Sequence, residues 1–139
     1  MSSGFSTIEP IRLHLKRTRT SFLRLHKALL DSERSLYERS YGPIRSSGEF
    51  LQLVIGNEWF SWLRPMSQFI IQIDEALGAE EPMTLEQANE LLTIAHQLLS
   101  SSEDGPPHEQ RYYDAIQRDA DVAFLHFELS AFLTTIPDI

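Results

Sequence analysis

Apolar residues recur at helical spacing along most of the chain, and the longest such stretch comes first. Ile11, Leu15, Thr18, Phe22, Leu25, Leu29, Ser32 and Leu36 fall at alternating steps of four and three, which draws one stripe down one face of a helix. The pattern predicts a first helix that starts at a cap near Thr7, with Glu9 and Pro10 in its first turn. It should stop at Tyr41, because Gly42 can take the left-handed cap and Pro43 cannot continue the helix. A stripe of that length must be buried against other helices.

The second segment is less regular. Ser46 and Glu49 have capping-box spacing ahead of Phe50, Leu51, Leu53, Val54 and Ile55. Gly56-Asn57 then interrupts, and Asn57 is placed to cap a fresh helix through Leu77. Its seam is Trp59, Leu63, Met66, Ile70, Ile73 and Leu77, widened by Trp62 and Phe69. Pro65 lies inside the pattern, so a kink is expected there. A third helix starts at Thr84, boxed by Gln87, and buries Ala88, Leu91, Leu92, Ala95, Leu98 and Leu99. A fourth begins near Pro106-Pro107 and ends at Pro137, with Tyr113, Ile116, Ala120, Ala123, Phe127 and Ala131 as its expected core face. No run alternates with a period of two, and only two valines occur, so strands are not expected. The reading is an all-α, four-helix up-down-up-down bundle with long helices, its second segment broken near Gly56 and kinked at Pro65.

The last segment carries more apolar surface than one face can hold. A projection at 100° per residue turns Phe124, Phe127 and Ala131 toward the core and leaves Val122, Leu125, Leu129, Phe132 and Leu133 on the far side. Large side chains left in water in that number form a patch of unusual size. A two-fold dimer would cover it; alternatively, the irregular stretch 43–57 folds over it. Val122, Leu125, Leu129, Phe132 and Leu133 are therefore the expected interface of a homodimer.

Composition narrows the classes. The 139 residues suit a single domain spanning 1–139. The chain has no cysteine, which excludes disulfides, thiolate nucleophiles, zinc ribbons and iron–sulfur clusters, and suits a cytoplasmic protein. No apolar run approaches a membrane span, and MSSGFSTIEP lacks the pattern of a secretory signal. The net charge of −8 is divided unevenly: residues 1–45 carry nine of the twelve Lys and Arg and a net +5, the remainder a net −13. Arg12, Lys16, Arg17, Arg19, Arg24 and Lys27 invite a nucleic-acid hypothesis. They are spread around the solvent side of the helix, however, and the acidic remainder repels a polyanion. Pairing with the acidic helices, or plain solvation, is the preferred reading, with no nucleic acid and no membrane as partner.

Candidate chemistry is sparse. None of His14, His26, His96, His108 and His126 has a Glu three residues before it, and no His-x-x-x-His pair occurs, so the di-iron and zincin patterns are missing. No Gly-x-Ser-x-Gly elbow and no Gly-rich phosphate loop occurs. His26, beside the first seam with Glu33 two turns on, is the best single ligand candidate. The stretch Tyr37 to Trp62 gathers Tyr37, Tyr41, Trp59, Phe60 and Trp62 with Arg39 and Arg45, materials of a pocket or hot spot. The function expected is a non-enzymatic, homodimeric protein-interaction module that needs no cofactor and no metal. The alternative is a bundle that binds a small molecule or haem-like ligand through His26, Trp59 and Trp62.

Overall fold

The computed structural model describes the backbone of residues 3–135 and the side chains of residues 8–135. The described chain is all-helical: α1 (Ser3–Tyr41), α2 (Ser47–Gly56), a 3-10 helix (Glu58–Leu63), α3 (Arg64–Gly78), α4 (Leu85–Leu98), α5 (Pro107–Arg118) and α6 (Ala120–Thr134). Six α-helices stand where four were expected, because the second and fourth segments are both divided. No described helix is long and apolar enough to cross a membrane.

The first seam behaves as its spacing predicts. Ile11, Leu15, Thr18, Phe22, Leu25, Leu29 and Ser32 are buried and Leu36 is half-buried. Thr18 keeps its hydroxyl satisfied in this apolar setting by donating to the His14 carbonyl at 2.9 Å. The helix begins four residues before the expected cap at Thr7 and takes Pro10 inside it, at the loss of one backbone bond. Its end is as expected: Gly42 has φ +91° and its N–H returns to the Glu38 carbonyl at 2.9 Å.

The middle differs from expectation at Pro65. Ser46 caps α2 by accepting from the Glu49 N–H, and the Asn57 side chain accepts from the Trp59 N–H at 2.8 Å. What Asn57 starts is a 3-10 helix. At three residues per turn, Phe60 and Leu63 align on one edge, and both are buried. Pro65 then sits in the first turn of α3, where its missing N–H is an orphan anyway. It stands at the opening of α3 and not in the interior of one continuous helix.

The third segment matches closely. Thr84 and Gln87 form a full capping box, and Ala88, Leu91, Ala95 and Leu99 are buried, with Leu92 and Leu98 half-buried against the core.

The fourth segment is cut at Asp119. This residue is extended (φ −127°, ψ 114°), and its carboxylate accepts from the N–H groups of Asp121 and Val122. It thus ends α5 and caps α6. One extended residue resets the rotational phase, so a projection carried through the break points the wrong way. In α6 the buried residues are Val122, His126, Leu129 and Leu133. Ala120, Phe124, Phe127 and Ala131, expected inside or at the core edge, are exposed. The expected stop at Pro137 lies outside the described residues; α6 ends at Thr134.

One core joins these elements. α1 packs on α3 and α6, α3 on α4, and α4 on α6. The core draws on α1, the end of the 3-10 helix, α3, α4, α5 and α6. α2 buries no residue of its own and leans on the 3-10 helix through Phe50 and Phe60, whose rings meet edge to face.

Candidate functional site

The least ordinary residue in the core is Glu33. It continues the α1 seam beside Ser32, and its side chain is 0% exposed. A bare carboxylate in such a place would be costly. Two arginines meet it: Arg111 and Arg118 are seven residues apart on α5, two turns along one face. Arg111 Nη2 donates to Glu33 Oε1 and Arg118 Nη2 to Oε2, both at 2.5 Å. Arg118 Nε also donates to the Ser32 hydroxyl at 3.1 Å, and Arg111 Nη2 to the Trp59 carbonyl at 3.1 Å. The Arg111 guanidinium stands over Trp59 at 5.1 Å and Trp62 at 5.9 Å from the ring centres, within cation–π range. This polar layer ties α1, the 3-10 helix and α5 together. Both carboxylate oxygens are engaged by guanidinium groups, so the layer is built for positioning.

One residue along α5, Tyr112 turns inward and its oxygen lies 2.6 Å from His126 Nδ1 on α6. Burial pushes the phenol pKa up and the imidazole pKa down, so both stay neutral. We assign the phenol O–H as donor and Nδ1 as acceptor, which puts the ring proton on Nε2. His14 is likewise buried, stacked on Phe132 at 4.3 Å. Its pKa is lowered by burial first, then by the Arg17 and His96 charges.

Two clefts flank this region. One, of about 210 Å³, has a floor of Leu63, Met66 and Tyr112, a Trp62 wall, and a rim that includes Gln97 and His108. The other, also about 210 Å³, includes His26, Ile55, Phe60, Leu63 and Arg64. Leu63 belongs to both and divides them. The three residues expected to share a ligand site are thus separated. His26 is half-buried, its pKa lowered by burial. Trp62 lines the other cleft, and Trp59 lines neither, packing edge-on against Tyr37 and Tyr41. Each cleft falls below the roughly 300–1,000 Å³ of drug-sized sites, so neither encloses a porphyrin. Among the described residues no three His, Asp or Glu side chains stand close enough to hold a metal ion.

No family model, curated protein or solved structure matches the chain.

The basic side of α1 meets acidic partners. Arg19 pairs with Asp74 of α3 at 2.7 Å, Lys27 with Asp31 at 3.0 Å, and Arg12 donates to the Leu77 carbonyl at 3.4 Å. Exposed pairs of this kind stabilise little, but they occupy part of the positive stripe.

The expected interface residues require correction. Val122, Leu129 and Leu133 are buried in the protein's own core, and Leu125 and Phe132 are half-buried against it. The helices that pack against α6 are α1, α4 and α5. The surplus apolar surface is real but lies on the opposite face, where Phe124 is 65% and Phe127 63% exposed. Glu33, Arg111, Arg118 and Tyr112 were not singled out as site residues by the sequence. The signals were there in part: a Ser-Glu pair interrupting an apolar seam, and two arginines spaced by seven on the facing helix.

Proposed function

We propose that the protein is a non-enzymatic, self-associating interaction module whose contact surface is the outward face of α6. The observation that carries this is the pair Phe124 and Phe127, both about two-thirds exposed on a helix whose other face is already buried. The outward seam Ala120, Phe124, Phe127, Ala131 has steps of four, three and four, the spacing of a helix–helix seam. The same series reads identically in both directions. An antiparallel copy, related by a two-fold axis between positions 125 and 126, would set Phe124 against Phe127 of the partner subunit and Ala120 against Ala131 of the partner subunit. That self-complementarity is what an isologous contact needs, and it favours a second copy over an unrelated partner.

The two rings expose roughly 250 Å² per protomer, from about 200 Å² for each whole side chain. A standard interface buries about 800 Å² per partner, so the anchors need a polar rim and the expected dimer is reversible. The scaffold behind this face is read as a four-helix bundle, with α1, α3, α4 and the α5–α6 pair as its four legs. The closed set of neighbours α1–α3, α3–α4, α4–α6 and α6–α1 supports that reading.

The test is sedimentation equilibrium over a wide concentration range. The mass should rise toward two chains in the micromolar range or above, and the double variant Phe124→Glu, Phe127→Glu should remain a folded monomer throughout. A wild-type mass of one chain at every concentration would overturn the proposal and leave this face to a different partner.

A further inference from the structure

The cleft where α1 faces the α5–α6 break carries charges of both signs. Its volume is about 260 Å³. α1 lines it with Asp31, Ser32, Ser35 and Arg39, and the break adds Arg118 and Asp119. Two cations and two anions thus share one small space, which suits a guest that is neutral overall and charged at both ends. The two signs are also sorted. Asp31 and Asp119 line the neighbouring groove toward Phe124 as well, so both carboxylates stand at the α6 end. Arg39 lies two turns beyond Asp31 along α1, about 12 Å at the usual rise, with Ser35 between them.

Every polar group here keeps bonding capacity unspent. Ser32 is only 7% exposed and accepts from Arg118 Nε at 3.1 Å. Its own O–H donates to none of the described residues, and buried donors are nearly always paired. Arg118 spends Nε on Ser32 and Nη2 on Glu33, which leaves its Nη1 group. The ion layer sets two guanidinium groups against one carboxylate, and Arg118 is the member of it that lines this cleft. Arg39 enters no ion pair among the described residues. On the acidic side, Asp119 caps α6 through Oδ1 alone, and Asp31 meets the exposed Lys27 through Oδ2 alone. We propose that this cleft binds a free α-amino acid, its carboxylate held by Arg39, Arg118 and the Ser32 hydroxyl and its ammonium by Asp31 and Asp119. A simple anion would satisfy the arginines but face the two aspartates. An engineered cavity of about 150 Å³ takes up benzene, so this space holds roughly ten non-hydrogen atoms, enough for leucine or glutamine. None of the lining residues belongs to the outward seam of α6, so the site stands apart from self-association.

The test titrates the full chain with L-alanine, L-serine, L-leucine and L-glutamine, and with propionate and ethylammonium, which each keep one charged group of alanine. It is read by the backbone amide resonances of residues 31–39 and 118–119 in proton–nitrogen correlation spectra. At least one amino acid should shift them saturably. The tightest should bind at least about 10-fold better than propionate or ethylammonium, the worth of one charge-assisted bond. Arg39→Gln should weaken that amino acid and propionate alike. Asp31→Asn should weaken the amino acid and leave propionate bound no less tightly. Both side chains are exposed, so both variants should keep the wild-type spectrum elsewhere. No saturable shift with any of the four amino acids would overturn the proposal, as would binding that neither variant changes. Propionate bound as tightly as the best amino acid would reduce the cleft to an anion site and overturn the role given to Asp31 and Asp119.

Discussion

Removing both arginines that hold Glu33 should destabilise the fold more than removing Glu33 itself. The reason is the difference in burial. Glu33 is 0% exposed, whereas the Arg111 and Arg118 side chains are 35% and 27% exposed. In Glu33→Gln the two guanidinium groups lose a charged partner but can turn to water, and the amide oxygen still accepts one bond. Charge-assisted bonds contribute about 1.5–3 kcal/mol each, and rehydration offsets part of the two that are lost. The net cost of Glu33→Gln is then about 1–3 kcal/mol. The double variant Arg111→Met, Arg118→Met leaves a carboxylate with neither cation nor water, and breaking a buried pair from that side costs about 3–5 kcal/mol. The triple variant, with Glu33→Leu added, strands no charge and should fall within about 1 kcal/mol of wild type if it repacks. Urea unfolding followed by helical circular dichroism, with the denaturant slope checked for constancy, gives the order directly. The reasoning fails if Glu33→Gln is as costly as the double variant, or if the triple variant is less stable than the double.

Further outcomes follow from the same geometry. Burial holds the pKa values of His14, His26 and His126 below 6.5, so below that pH the unfolded chain binds more protons than the folded one. Stability should therefore be level above pH 6.5 and fall as the pH drops through and below it, a trend that His126→Gln and His14→Phe should each flatten in an unfolding series against pH. Tyr112→Phe leaves His126 Nδ1 without its donor and should cost about 1–3 kcal/mol, measured by urea unfolding. Leu129→Ala should cost about 2–5 kcal/mol, while Phe124→Ala in the monomer should stay within about 0.5 kcal/mol; the reverse order would mean that α6 is turned the other way. Asp119→Ala removes the cap of α6 and should lower the unfolding midpoint by the equivalent of about 0.5–2 kcal/mol.

Where the chain kept one rotational phase, its architecture was legible. The α1 seam, the Gly42 stop, the Asn57 and Thr84 caps and the α4 stripe all follow from spacing and cap chemistry, and each is local. Pro65 was read as interior to one helix, but it stands in the first turn of α3, where its missing N–H costs nothing, and what decides between the two is the 3-10 turn before it. Such a turn leaves little trace in hydropathy, because Phe60, Leu63 and Met66 fit a period of three while Trp59, Leu63, Met66 and Ile70 fit 3.6. The polar layer was legible only in fragments. Glu33 lies 78 and 85 residues from its two partners, and no local pattern states that they meet.

Asp119 links the part that could be read to the part that could not. α6 carries two apolar series with the same spacing, Val122-His126-Leu129-Leu133 inside and Ala120-Phe124-Phe127-Ala131 outside. They are offset by two residues, which is about 200° around a helix. Hydropathy alone cannot rank them, since the outer series holds the two larger rings. Tyr113 and Ile116 continue at helical spacing onto Ala120, Phe127 and Ala131, but the residues that α5 buries are Tyr112, Ala115 and Ile116. The extended backbone at Asp119 ends that line directly after Arg118 has reached Glu33, and starts a new one that brings His126 to Tyr112. The Tyr112–His126 bond crosses the break and lies on the buried face of α6. With His126 turned inward, Phe124 and Phe127 are left on the outward face of α6, the surface proposed for self-association.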